Sequence, residues 1–294
     1  NYFLKSQRIK MVNKNNTLSI SREQSVRRSR FRSKRQIKTK NRIKASTNVF
    51  GGRAKVLDQK SVAAIHKAVI NILETIGLAT SSEIVREIFL KNGAIISKHN
   101  RILIPENLLS KALRNVQKKI TLYGQNNAND LFLEKNKVYV GTGGAAPLIF
   151  DPDKFDYRDS TLQDLHNAAR LVDTLDNIHF FSRPVTATDI HSSIDLDINT
   201  AFASLIGTKK HVIVSATTSK SVESIAKICH IIAGSEKKFS QKPFLSLNIN
   251  HVIPPLKLSE ESCKVIIEAA KFNIPVHINT FGQLGASSPV TVAG

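Results

Sequence analysis

From Asp58 onward apolar residues recur every three or four positions, at Val62, Ile65, Val69, Ile72, Leu73 and Ile76. Asp58 is placed to cap the first turn and Gly77 to end the run, so this stretch predicts an amphipathic helix. A second helical pattern carries Ile84, Val85, Ile88 and Phe89 and stops at Asn92-Gly93. A third opens at Pro105 and runs through Leu108, Leu109, Leu113 and Val116. Short strand-like pieces follow at Ile120 to Tyr123 and Leu131 to Leu133.

A regular alternation then begins. Strands are expected near Val138, Ile178, Val212, Phe244 and Val276, at intervals of 40, 34, 32 and 32 residues. That spacing suits a strand, a loop, a helix of about four turns and a return loop. The intervening helical patterns carry Leu162, Leu165, Ala169, Val172 and Leu175, then Ile198, Phe202, Leu205 and Ile206. Val222, Ile225, Ile228, Ile231 and Ile232 mark a further helix before Gly234, and Val265, Ile266 and Ala269 another after a Ser259 cap. Ser160 and Gln163 are spaced as a capping box for the first of these helices.

Repeated βα units imply a parallel sheet. A doubly wound sheet and a closed barrel both satisfy the pattern; even spacing without a dinucleotide fingerprint favours the barrel. The expected fold is therefore a TIM-type (β/α)8 barrel, truncated after about five βα units, with an N-terminal helical preamble. The expected divisions are a basic, disordered tail at 1–50, a helical and mixed segment packing on the barrel at 51–136, and the first part of the barrel at 137–294.

Alternate strand residues in such a barrel face either the helices or the interior. On the fourth strand Leu245, Leu247 and Ile249 form an apolar face, and Ser246, Asn248 and Asn250 a polar one. The same parity assigns His179, Phe181 and Arg183 inward on the second strand, and His277, Asn279 and Phe281 on the fifth. Ser215 joins them from the third, and Tyr139, Gly141 and Gly143 from the first. The expected substrate-binding set is Arg183, Asn248, Asn250, Asn279, Gln283, Thr142, Phe181, Phe281 and Tyr139, a polar pocket with aromatic members. No catalytic residue is assigned.

Charge alters the picture only at one end. Of the formal net charge of +20, residues 1–50 hold +14, with fifteen Lys and Arg against the single acid Glu23, leaving +6 for the rest. The run Arg27 to Arg35 suggests nucleic acid, but no reader domain follows it. Met11 is the only methionine, and the ten residues before it are expected to be upstream read-through. Cys229 and Cys263 stand far apart in helical patterns, and the nine histidines show no metal-ligand spacing. Gly141 to Gly144 could cradle an anion, although glycines after a strand more often let the chain turn. Asp195 and Asp197 are read as acids at a helix start, favoured by its dipole. No apolar run approaches the roughly 18 residues of a membrane helix, and a cytoplasmic protein is expected.

A family resemblance rests on many short blocks in order. They include Ile72-Leu73-Glu74-Thr75-Ile76-Gly77, Arg101-Ile102-Leu103-Ile104-Pro105, Tyr123-Gly124, Asn129-Asp130-Leu131 and Gly143-Gly144-Ala145. Further on come Ser160-Thr161-Leu162-Gln163-Asp164, Ala169-Arg170-Leu171-Val172-Asp173, Asp176-Asn177-Ile178-His179 and the closing Gly285 to Gly294. From about Gly51 to its end the chain resembles the trimethylamine methyltransferase family. The resemblance implies a barrel that binds a methylated amine and presents its methyl group to the Co(I) of a separate cognate corrinoid protein, with no cofactor bound directly. Family members acting on trimethylamine carry pyrrolysine at a position beyond this chain, while others use quaternary amines. Phe181, Phe281 and Tyr139 could face a cation and Arg183 a carboxylate, which leans the expectation towards a betaine-like substrate. A homo-oligomer is expected. The rival readings are a nucleic-acid-binding protein acting non-specifically through the basic tail, and an inactive fragment of the barrel enzyme.

Overall fold

Asp58 opens the first helix, α1 (Gln59–Thr75), with the Ser61 N–H donating to its carboxylate at 2.7 Å. The computed structural model describes residues 51–52, 54–279, 282, 285, 288 and 290. The expectations for residues 1–50, Phe281 and Gln283 lie outside the described residues. Gly77 turns the chain out of α1 at φ +67°, where any side chain would collide with the Ile102 carbonyl. Then come α2 (Glu83–Lys91), the antiparallel pair β1 (Ile95–Ile96) and β2 (Ile102–Leu103), and α3 (Glu106–Asn115) after Pro105. Leu73, Leu78, Phe89, Leu108 and Leu109 close around the buried Ala94, Ile102 and Ile104. The Arg101 guanidinium joins this segment to later chain, donating to the carbonyls of Ile76 (2.9 Å), Gly77 (2.8 Å) and Leu256 (3.2 Å).

Two hairpins follow, β3 (Ile120–Leu122) with β4 (Leu131–Leu133), and β5 (Leu148–Asp151) with β6 (Asp156–Asp159). The second is tied to the next helix, α4 (Leu162–Asp173), by Arg158, whose two guanidinium nitrogens donate to Asp164 at 2.7 and 2.8 Å. That pairing holds the Asp164 carboxyl far below the usual carboxylate range.

The remaining elements are β7 (Phe180–Ser182), α5 (Ser193–Gly207), β8 (His211–Val214), α6 (Ser219–Ala233), α7 (Glu236–Gln241) and β9 (Leu245–Asn250). A small pair, β10 (Val252–Ile253) with β11 (Lys257–Leu258), precedes α8 (Glu260–Lys271) and β12 (Val276–Asn279). The sheet order is β12-β9-β8-β7 and every pairing is parallel, so each helical crossover joins adjacent strands. Val212, Val214, Leu245, Leu247 and Ile249 pack against Leu205 of α5, Val222, Ile225 and Cys229 of α6, Phe239 of α7, and Val265 and Ala269 of α8. Phe181 packs against Leu165, Ala169 and Val172 of α4. One face of the sheet therefore carries the core.

The turn from α4 into β7 is held by Lys210, just before β8. Its buried ammonium donates to the carbonyls of Val172 (2.7 Å), Leu175 (2.6 Å) and Ile178 (2.5 Å). The Val172 and Leu175 carbonyls also accept backbone N–H groups, from Leu175 (3.1 Å) and Ile178 (3.2 Å), so the ammonium is a second donor over the end of the helix.

Three expectations need correction. No regular strand forms near Val138; the ladder pairing of this stretch is reduced to isolated parallel bridges, Gly141 with Phe180 of β7 and Ala146 with Val185 beyond it. Gly144 at φ +128° and Ala145 at φ +52° break the extended conformation. The Thr142 hydroxyl replaces a ladder bond, donating to the Ser182 carbonyl (2.5 Å) and accepting the Ser182 N–H (3.0 Å). The capping box of α4 is Thr161 with Asp164, one residue beyond the expected pair. Ser160 is instead buried, within 2.6 Å of the Thr186 carbonyl. Phe181, expected inward with His179 and Arg183 on one parity, belongs to the helix layer, because β7 enters one residue out of the expected phase; parity therefore no longer assigns Arg183 to the inner face.

Candidate functional site

The polar face of the sheet can be followed strand by strand from its register. Ser182 of β7 aligns with Ile213 of β8, which aligns with Ser246 of β9; Asn248 aligns with His277, and Asn250 with Asn279. These residues alternate with the helix-facing core, so their side chains belong to the opposite face. Adjacent parallel strands lie about 4.8 Å apart, which brings Asn250 and Asn279 together at the C-terminal ends of β9 and β12. Both are exposed there, while Asn248 and His277 below them are half-buried.

Two charged groups stand at the same ends of the neighbouring strands. Arg183 follows directly after β7 and is half-buried. Burial pushes its guanidinium pKa down, and the nearby Asp197 carboxylate partly restores it. Asp197 of α5 is itself only 4% exposed and accepts both the N–H and the hydroxyl of Thr217 at 2.7 Å, each from the loop after β8. This end of the sheet thus carries neutral amides able to orient a polar substrate and a guanidinium able to meet a carboxylate. Thr142 lies here too, fastened to Ser182.

The opposite end is closed by the β3–β4 hairpin. The fully buried His211 shares hydrogen bonds of 2.8 Å with the Tyr123 carbonyl through Nδ1 and with the Ser246 hydroxyl through Nε2. Burial pushes its pKa down to about 4. A cavity of about 380 Å³ lies between hairpin and sheet, lined by Leu122, Leu131, Tyr139, Phe180, Ile213 and His277 among others. The Tyr139 hydroxyl lies 3.3 Å from both the N–H and the carbonyl of Phe132, and its ring meets His179 edge-on at 5.3 Å.

Of the expected residues, the structure gathers Asn248, Asn250 and Asn279 on two adjacent strands and puts Arg183 and Thr142 at the same end of β7. It separates Tyr139, which stands near the start of β7, and Phe181, which is in the helix layer. Asp197, expected as an acid favoured by the helix dipole, is buried instead. The signal was its helical spacing from Ala201, Ser204 and Leu205, which makes it part of the buried face of α5 rather than an exposed dipole acid. Among the described residues no group of three or more His, Cys, Asp or Glu side chains is gathered to hold a metal ion, and no helix is long and apolar enough to cross a membrane.

A family model for trimethylamine methyltransferase matches residues 23–294. The chain belongs to the trimethylamine methyltransferase family. The match reaches further back than the expected start near Gly51 and takes in the basic run Arg27 to Arg35. Among its relatives, the trimethylamine methyltransferase MttB of Desulfitobacterium hafniense (strain DSM 10664 / DCB-2) is 32% identical over 232 residues, which is 79% of this chain and 46% of the relative. That of Methanosarcina thermophila is 30% identical over 259 residues, covering 85% of this chain and 53% of the relative. The glycine betaine methyltransferase of Desulfitobacterium hafniense (strain Y51) is 25% identical over 240 residues, covering 81% and 49%. The chain spans about half the length of these relatives.

Proposed function

We propose that this chain is the substrate-orienting part of a TIM-type (β/α)8 barrel, in the cytoplasm, that moves a methyl group from a methylated amine to a cognate corrinoid protein. The substrate is trimethylamine or a quaternary amine such as glycine betaine. The carrying observation is that Asn250, Asn279 and Arg183 stand at the C-terminal ends of sequentially ordered parallel strands, with Asn248 below them, in a chain of this family. Barrel enzymes build their sites at that end. The sheet keeps its core on one face, as a closing barrel requires and a doubly wound sheet does not.

The corrinoid, carried by its own protein, supplies a Co(I) nucleophile that accepts the methyl group. The exposure of Asn250 and Asn279 suits a rim that a partner must approach. What the chain contributes is orientation and exclusion of water. Its amides hold polar atoms of the substrate so that the methyl group points outward. The C–N bond breaks with its electron pair going to nitrogen, so a quaternary amine leaves neutral and needs no general acid, whereas trimethylamine reacts as its N-protonated ammonium form and leaves as neutral dimethylamine. Arg183 pairs with the carboxylate of a betaine-like substrate, and the nearby Asp197 carboxylate favours its charge against the cost of burial. Nucleic acid meets the protein only non-specifically, through the basic segment.

The test is loss of Co(I) absorbance when the natural full-length protein is mixed with its reduced corrinoid partner and a methylated amine. Substrate-dependent loss with trimethylamine or glycine betaine is expected. No loss with any methylated amine, from a folded protein and an active partner, would overturn the reading.

A further inference from the structure

We propose that the backbone N–H groups of Gly143 and Gly144 form, with Arg183, a subsite for the carboxylate of a carboxylated quaternary amine. The inference rests on the reading of this end of the sheet as an amine site and adds the backbone donors that meet the anion.

Two links fix the place of the glycines. The Thr142 hydroxyl donates to the Ser182 carbonyl and accepts the Ser182 N–H, and the Ala145 N–H donates to the Arg183 carbonyl at 3.2 Å. One step along the β7 side is thus matched by three on the other, so Gly143 and Gly144 are extra residues, looped out beside Arg183. Gly144 has φ +128°, a conformation that side chains rarely adopt. A Cβ on Gly144 would meet only the Pro184 carbonyl, at 3.7 Å, and one on Gly143 nothing within 4 Å, so the space beside the loop is open.

The loop leaves donors without acceptors. Neither glycine N–H has a hydrogen-bond partner among the described residues, and successive backbone N–H groups in such a turn make a concavity for an anion. The Arg183 guanidinium is half-buried, yet it makes no hydrogen bond and no close ion pair with any described residue. Adjacent parallel strands lie about 4.8 Å apart, within the reach of an arginine side chain.

Charge selects the ligand. Burial disfavours the Arg183 cation, and the Asp197 carboxylate, only 4% exposed, acts on it from beyond contact distance. A carboxylate brings a single charge and two oxygens to the guanidinium fork, whereas a phosphate brings a second negative charge towards Asp197. Asn250 and Asn279 stand at the same end of the sheet for the remainder of the substrate.

The test is calorimetric binding of glycine betaine and of choline, a quaternary amine of similar size without the carboxylate, to the natural full-length protein. The native protein should bind glycine betaine about tenfold tighter than choline, or more. Gly143→Asp sets a carboxylate of the protein's own beside Arg183, at a position with open space and no left-handed φ. That variant should weaken glycine betaine by about tenfold or more and choline by less than about threefold. In native protein labelled at glycine nitrogen, two amide resonances should move downfield with glycine betaine and stay in place with choline. Equal native affinity for the two ligands, a Gly143→Asp affinity for glycine betaine within about threefold of native, or glycine amides that do not move would each overturn the proposal. Should Gly143→Asp misfold, the amide shifts decide alone. Binding is read without turnover, so tight glycine betaine binding with no methyl transfer would count against the proposed function alone. Transfer from trimethylamine without glycine betaine binding would count against this subsite alone.

Discussion

The imidazole of His211 and the hydroxyl of Ser246 meet at 2.8 Å across neighbouring parallel strands, on the face of the sheet opposite the helix core. On its other side the ring lies 2.8 Å from the Tyr123 carbonyl. A carbonyl only accepts, so Nδ1 carries the proton, Nε2 accepts from Ser246, and the ring is satisfied while neutral. A second proton on Nε2 would make the Ser246 hydroxyl turn and accept instead, and would place a positive charge on a fully buried ring.

Acid should therefore unfold this protein partly through His211. Its pKa falls from the ordinary 6.5 to about 4 on folding. Between those values the unfolded chain binds a proton that the folded chain refuses. The stabilisation is complete above about pH 6.5 and is lost as pH falls towards 4, amounting to roughly 3 kcal/mol over that window. Burial lowers the pKa of His277 and His251 as well, in the same sense. Urea midpoints measured from pH 7.5 to 4.5 should fall steeply, and His211→Gln should flatten the fall. An unchanged slope in that variant would show that His211 is not the group responsible.

Lys210→Met should destabilise the fold by about 1 to 3 kcal/mol, because three carbonyls lose a shared charged donor. Chemical denaturation measures this directly. A loss below 0.5 kcal/mol, on the order of a surface substitution, would mean that water replaces the ammonium at little cost.

Phe181 and Asn250 separate packing from recognition. Phe181→Ala should cost roughly 3 to 5 kcal/mol by opening a cavity against Leu165, Ala169 and Val172, whereas Asn250→Ala should leave the unfolding midpoint nearly unchanged. Equal and small effects of the two on stability would return Phe181 to the polar face.

The contrast between these residues also shows what the sequence carried. Period-two alternation on β9 is unbroken over six residues, Leu245–Asn250, so both of its faces were readable. β7 has only three residues, and Phe180 and Phe181 are chemically equivalent, so periodicity could not choose which ring meets α4. The glycine-rich stretch from Gly141 had the position of a strand without its backbone conformation. The β5–β6 hairpin was signalled by Asp151-Pro152-Asp153 between Phe150 and Tyr157, turn residues between apolar positions that fall inside one strand-to-helix interval. The role of Asp197 was hidden for a different reason. Its partners Thr217 and Arg183 are distant in sequence, and only the fold brings them to it.

Arg183→Ala should slow transfer from glycine betaine by at least tenfold more than transfer from trimethylamine, since only the former offers a carboxylate. Competition between the two substrates in one reaction gives the ratio without separate calibration. Equal losses would remove Arg183 as a carboxylate partner.

The central claim is that the amides at the strand ends orient a methylated amine. Its most direct test is the rate of Co(I) loss in the natural full-length protein carrying Asn250→Ala and Asn279→Ala, measured with its corrinoid partner at saturating amine. The account predicts a fall of about a hundredfold or more with an unfolding midpoint close to that of the native protein. A rate within twofold of native, in a protein equally stable, would contradict it.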